Sequence, residues 1–113
     1  MITSLWNKTE VYCAHHEEPQ IMDLANSRGI IYYACREGFP ENKKDNSSLC
    51  KNTLSLKDFE KMLDYISDIM LKAELNNEVP NLKNDKFSIG HYEYRIFEHN
   101  DKIKVSVKNK KLR

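Results

Sequence analysis

Glycine is scarce, with three residues in 113, and none of the three belongs to a phosphate-cradling loop of the G-x-x-x-x-G-K type. Long apolar runs are missing too. Nothing approaches the roughly 20 apolar residues of a membrane span, and Met1 is followed by neither a basic stretch nor the apolar core of a signal peptide. A cytoplasmic location is the expectation. The cysteines are few and odd in number, three, which argues against a closed disulfide framework and for thiols used as ligands or left buried.

Catalytic signatures are equally thin. There is no redox C-x-x-C, and no H-E-x-x-H, because Gln20 stands where a second histidine would have to follow His16-Glu17. His15-x-Glu17 matches the H-x-E triplet of zinc deaminases, but that chemistry needs a downstream P-C-x-x-C. Cys50 has no proline before it and is followed by Thr53 at the place of the second cysteine. A nucleophilic Cys50 with His91 or His99 as base would need an activating neighbour, and nothing nearby in the sequence supplies one. Asp64 and Asp68 are one turn apart on a polar helix face, where solvation explains them better than acid and base work. A non-enzymatic protein is expected.

What is present describes an ordinary soluble domain: 40% apolar and 31% charged residues, with a mean hydropathy of −0.72. A chain of this length forms a single domain, 1–113, and buries roughly two-thirds of its unfolded surface, enough for a modest core. The net charge of +1 hides a gradient: residues 100–113 hold six basic groups against one acidic, so they carry +5 and the rest of the chain −4. Lysine outnumbers arginine fourteen to four and asparagine is abundant, a composition expected of an AT-rich bacterial or phage genome.

Along the chain, residues 1–10 contain Leu5 and Trp6 in no readable period and are expected to form an arm that folds back. Val11 and Tyr12 read as extended and lead into Cys13-Ala14-His15-His16. Gln20 to Ala34 reads as a β-hairpin, with Asn26-Ser27-Arg28-Gly29 as its turn and Ile30-Ile31-Tyr32-Tyr33-Ala34 as a second strand that ends at Cys35. Arg36 to Ser48 has the composition of an exposed loop. Ser55, with Asp58 three residues on and Leu54 and Phe59 at staple positions, then caps a helix. Leu56, Phe59, Leu63, Ile66, Met70 and Ala73 recur at helical steps, with Met62 and Ile69 widening the stripe, and this predicts an amphipathic helix over about 56–75. Asn76-Asn77-Glu78 and Val79-Pro80 stop it. Asn81 to Ser88 has no assignable pattern. From 90 to 108 two alternating segments joined at Asn100-Asp101 predict an antiparallel hairpin.

The chemistry lies in the half poorest in aliphatic residues. A zinc ion takes four thiolate or imidazole ligands in a tetrahedron, and a C-x2-H turn delivers two of them from one tight knuckle. Cys13 and His16 have that spacing; His15 is the rival, and spacing favours His16. The hairpin is about long enough to return Cys35 to the knuckle, and Cys50 closes the set after the loop. Over residues 11–50 the arrangement resembles a zinc ribbon, a broad class of small metal-knit β modules. It departs from that class in its second pair, since fourteen residues separate Cys35 from Cys50 where a ribbon has two to four. The resemblance implies a structural Zn(2+) held by Cys13, His16, Cys35 and Cys50.

The expected architecture is thus α+β: a zinc-ribbon-like half (11–50), then a half (51–113) in which the hairpin face of Tyr92, Tyr94, Ile96, Ile103, Val105 and Val107 packs on the helix stripe. Two binding roles suit it. One is an adapter that meets a protein partner through the acidic helix face and the 36–48 loop. The other is nucleic-acid contact through Lys102, Lys104, Lys108, Lys110 and Lys111, with Tyr92, Tyr94 and Phe97 available for stacking. Lys110, Lys111 and Arg113 read as a frayed end.

Overall fold

The computed structural model describes residues 2–38 and 50–112. Its elements run in the order α1 (Ile2–Lys8), β1 (Thr9–Cys13), β2 (Gln20–Ser27), β3 (Ile30–Cys35), a short 3-10 turn (Arg36–Gly38), β4 (Thr53–Ser55), α2 (Leu56–Leu75), β5 (Lys86–Ile89), β6 (Tyr92–His99) and β7 (Ile103–Asn109). The class is α+β, and α2 matches the helix predicted from periodicity. All strands join one seven-stranded sheet of order β4-β3-β2-β1-β7-β6-β5, so the C-terminal hairpin is part of something larger than a hairpin. The join is the parallel pairing of β1 with β7, from Thr9↔Ile103 to Cys13↔Val107. It brings the two ends of the chain side by side, and such a non-local contact leaves no local pattern to read.

The remaining pairs are antiparallel, and two of their turns rest on residues at positive φ. Between β2 and β3, Arg28 and Gly29 have φ of 54° and 83°, which gives the two-residue hairpin twist that matches the strands. The Gly29 N–H is held by Asn26 Oδ1 at 2.9 Å. Gly90, at φ 62°, turns β5 into β6. Strand β5 and Leu82, which is buried in the core, come from the stretch without a readable pattern. The first residues fold back as expected, and they do so as α1, which sets Leu5 in the core and Trp6 on Phe59; Thr9 closes it by donating its hydroxyl to the Leu5 carbonyl at 2.7 Å. Of the expected 36–48 loop, Arg36–Gly38 are helical and the rest falls outside the described residues, as does Arg113. Residues 110–112 are not frayed: Lys110 N–H bonds His91 O at 2.8 Å and Leu112 N–H bonds Asn109 O at 3.0 Å.

Helix α2 is capped at both ends as its sequence requires. Ser55 Oγ accepts the Asp58 N–H at 3.1 Å, and its hydroxyl donates to the Asp58 carboxylate at 3.0 Å. That second bond replaces the reach to the cap backbone expected of a capping box. At the other end Asn77 takes φ 58°, and the bonds Glu78 N–H to Ala73 O and Asn77 N–H to Glu74 O complete a Schellman stop.

The helix stripe of Phe59, Met62, Leu63 and Ile66 is fully buried in one core with Tyr92, Tyr94, Ile96, Ile103, Val105 and Val107, the pairing of faces expected from alternation. Burying a side chain of this size contributes about 1.5–3 kcal/mol. Phe59 is the pivot, its ring 4.8 Å from those of both Trp6 and Tyr33. Tyr92, near one edge of the sheet, donates its hydroxyl to the carbonyl of Thr53 on the opposite edge at 2.7 Å. The sheet therefore curls around the helix. A β-bulge between Ile96 and Glu98 adds Phe97 to β6, where it meets Tyr12 edge-on at 5.2 Å.

Candidate metal centre

Strand register assembles the site. Cys13 is the last residue of β1 and pairs with Gln20, while Cys35 is the last residue of β3 and pairs with Met22. The two cysteines thus flank β2 at one end of the sheet, and alternation turns both sulfurs to the buried side. Cys50 arrives from the other direction. Its N–H bonds Glu37 O at 3.1 Å, and Asn52 O accepts the Cys35 N–H at 3.2 Å, so residues 50–52 lie along the end of β3. His16 comes from the connection between β1 and β2.

The ligand atoms of Cys13, His16, Cys35 and Cys50 all lie within 4.8 Å of one another. Cys13 Sγ is 3.7 Å from Cys50 Sγ, and His16 Nε2 is 3.2 Å from Cys35 Sγ. Metal–sulfur bonds of about 2.3 Å in a tetrahedron set sulfurs ~3.8 Å apart, so this spacing suits a shared ion, whereas a disulfide needs about 2.05 Å. All three cysteines are free thiols. Cys13 and Cys35 are buried and Cys50 is half-buried.

The choice between the histidines comes from the far end of the chain. His15 Nε2 accepts the backbone N–H of Asn109 at 2.9 Å, which turns that ring away and ties the knuckle to β7. Ala14 N–H adds a bond to Val107 O at 2.9 Å. His16 is left to face the sulfurs.

A repeated motif surrounds the thiols. Each sulfur accepts the backbone N–H of the residue two positions on: His15 for Cys13, Glu37 for Cys35 and Asn52 for Cys50. Donors aimed at sulfur favour the thiolate. The first charge falls on Cys13, whose pKa is drawn down to about 5 chiefly by the hydrogen bond from the Cys35 thiol, against the effect of burial and with help from Asn52 and the His15 amide. Cys35 moves in the opposite direction because its proton is held by Cys13 and burial opposes a second charge. Burial likewise pushes Cys50 up. The cluster thus favours ionisation of Cys13 and opposes ionisation of the other two thiols, a cost that a bound cation would offset.

Asn52 carries no sequence signal, yet its side chain is fully buried and its amide nitrogen lies 3.2 Å from Cys13 Sγ. The lysines expected to meet nucleic acid are set among acidic neighbours. Lys102 pairs with Glu10 and Lys104 with Glu98, each at 3.4 Å, Lys108 lies across from Glu93 in register, and Lys110 and Lys111 are exposed beyond the strand. Tyr92 and Tyr94 are buried and cannot stack on bases. Among the described residues no helix is long and apolar enough to cross a membrane.

Comparison with known proteins gives this centre no precedent to borrow from: no family model, no curated protein and no solved structure matches the chain.

Proposed function

We propose that the chain is a non-enzymatic protein-binding module whose fold is completed by one structural zinc ion on Cys13, His16, Cys35 and Cys50. The observation that carries this is the convergence of four donors from three separate chain segments within 4.8 Å, each sulfur with a backbone N–H aimed at it. Three cysteines and one histidine form a donor set of structural zinc, and soft thiolates select against magnesium and calcium. Four protein ligands leave no open position for a substrate, which supports the non-enzymatic reading. The Cys13–His16 turn is the zinc-ribbon-like part. The second pair departs from a ribbon because Cys50 reaches the ion from the approach to β4 rather than from the Cys35 turn.

Zinc uptake by this cluster has a proton signature. With Cys13 already ionised near neutrality and Cys35 and Cys50 shifted upward, binding releases two thiol protons, and protons compete less as pH rises. The apparent affinity is expected to rise about 100-fold per pH unit above pH 7 from these thiols alone, as read by competition titration against a chelator. An affinity that does not rise with pH would contradict thiolate ligation.

The protein-binding role rests on where apolar surface is left. Leu24 and Ile31, diagonal neighbours on one face of the β2–β3 hairpin, are 54% and 45% exposed, and Ile30, on the other face at its tip, is 67% exposed; these side chains are the apolar surface the hairpin offers a partner. The basic face, by contrast, carries counter-ions of its own in Glu10 and Glu98, with Glu93 across from Lys108 in register. An oligonucleotide binding assay at low salt separates the readings: no salt-dependent binding is expected. Affinity that falls steeply with salt and is lost on charge reversal of Lys102, Lys104 and Lys108 would transfer the function to nucleic acid.

A further inference from the structure

We infer that Asn52 is a positioning residue of the metal centre, holding the Cys13 sulfur as a hydrogen-bond acceptor and fastening it to strand β7. This rests on the zinc reading above and assigns a role to a residue outside the ligand set. Both hydrogens of the Asn52 amide are committed. The nitrogen lies 3.0 Å from Val107 O and 3.2 Å from Cys13 Sγ. The carbonyl at Val107 fixes which way the amide faces, since a flip would set oxygen against oxygen. The same nitrogen must then present its second hydrogen to the sulfur, and Cys13 is left as the acceptor, the role of a metal-bound thiolate.

Asn52 touches all three thiol residues. Its side chain donates to Cys13, its backbone N–H to the Cys50 sulfur, and its backbone carbonyl accepts the Cys35 N–H. Val107 O, which it grips, also accepts the Ala14 N–H beside Cys13. The knuckle, the amide and β7 therefore form one hydrogen-bonded unit. The cost shows at the other end of the side chain, where Asn52 Oδ1 is buried without a partner. A fully buried asparagine with an orphaned oxygen is unfavourable unless its N–H groups do something an apolar residue cannot. Among the described residues, the only buried thiol with a side-chain amide aimed at it is Cys13, so the three sulfurs are inequivalent.

Cobalt(II) titration of the wild-type chain and of Asn52→Asp and Asn52→Leu tests this. Asp puts oxygen where the donor was, and Leu keeps the branching of the side chain without either hydrogen bond. Both are expected to bind cobalt about 10–100-fold more weakly than wild type, the usual loss for an outer hydrogen bond to a metal ligand. The thiolate-to-cobalt charge-transfer band should also move to lower energy, because a sulfur without its donor gives up an electron more easily. If the variants do not fold, the wild-type chain loaded with cadmium-113 decides, by through-bond coupling between the metal and the Asn52 side-chain amide protons. Variants that bind cobalt within twofold of wild type with an unshifted band would overturn the role of Asn52, as would a cadmium-loaded chain lacking that coupling. A wild-type chain that takes up no cobalt at all would overturn the zinc reading and this inference with it.

Discussion

Replacing Cys35 or Cys13 by alanine is expected to abolish zinc binding and to unfold residues 11–50. The magnitude decides the outcome. A structural zinc site contributes on the order of 10 kcal/mol of apparent binding energy, while domains have only about 5–15 kcal/mol of net stability. Apart from the cluster, the β2–β3 hairpin is anchored in the core only through Met22, Ala34 and Tyr33, while its Leu24, Ile30 and Ile31 stay exposed. Because β1 lies between β2 and β7, loss of the knuckle also strips β7 of its parallel partner. Amide hydrogen exchange reads the result directly. Protection should vanish across β1, β2 and β3 in the variant, and in wild type after chelator is added. Persistent protection of β2 and β3 in Cys35→Ala would contradict it.

The other large effect is expected from Phe59→Ala, on the opposite side of the same core. Phe59 has no exposed surface, and its ring meets Trp6 from α1 and Tyr33 from β3, so it is where both helices and the N-terminal hairpin come together. Removing a buried phenylalanine costs about 3–5 kcal/mol, depending on how far the cavity collapses. Here the two neighbouring aromatic rings restrict collapse. Urea unfolding of zinc-loaded protein should show the unfolding free energy falling by that amount, with the metal site still occupied. A loss below about 1 kcal/mol would mean that Phe59 is not the centre of packing.

The contrast between these two residues follows how legible each part of the chain was. Phe59 was evident because α2 is a local object: Ser55 starts it, an apolar stripe continues it and Asn77 in the left-handed region stops it. The hairpin of β2 and β3 was evident for the same reason, through Arg28-Gly29 and the β-branched run after it. Elements that depend on distant partners could not be read. The buried Leu82 has meaning only against the core, and the β1–β7 pairing joins residues more than 90 apart in sequence; strand β5 pairs locally with β6, but its four residues are too few to establish an alternation.

The site divides in the same way. The four candidate ligands were legible because cysteine and histidine are chemically conspicuous and a C-x2-H spacing has a geometric meaning. Choosing His16 over His15 rested on spacing alone, and the structural reason, an N–H from Asn109 that occupies His15, lies at the other end of the chain. Asn52 was invisible. A single asparagine two residues after a cysteine is unremarkable until the fold sets Val107 and Cys13 on either side of its amide.

Metal analysis combined with a thiol count on native protein, purified without chelator, tests the central claim most directly. One equivalent of zinc per chain is predicted, with the three thiols slow to react until a strong chelator removes the metal and all three then titrating together. A folded chain that contains no metal and whose thiols react independently would contradict it.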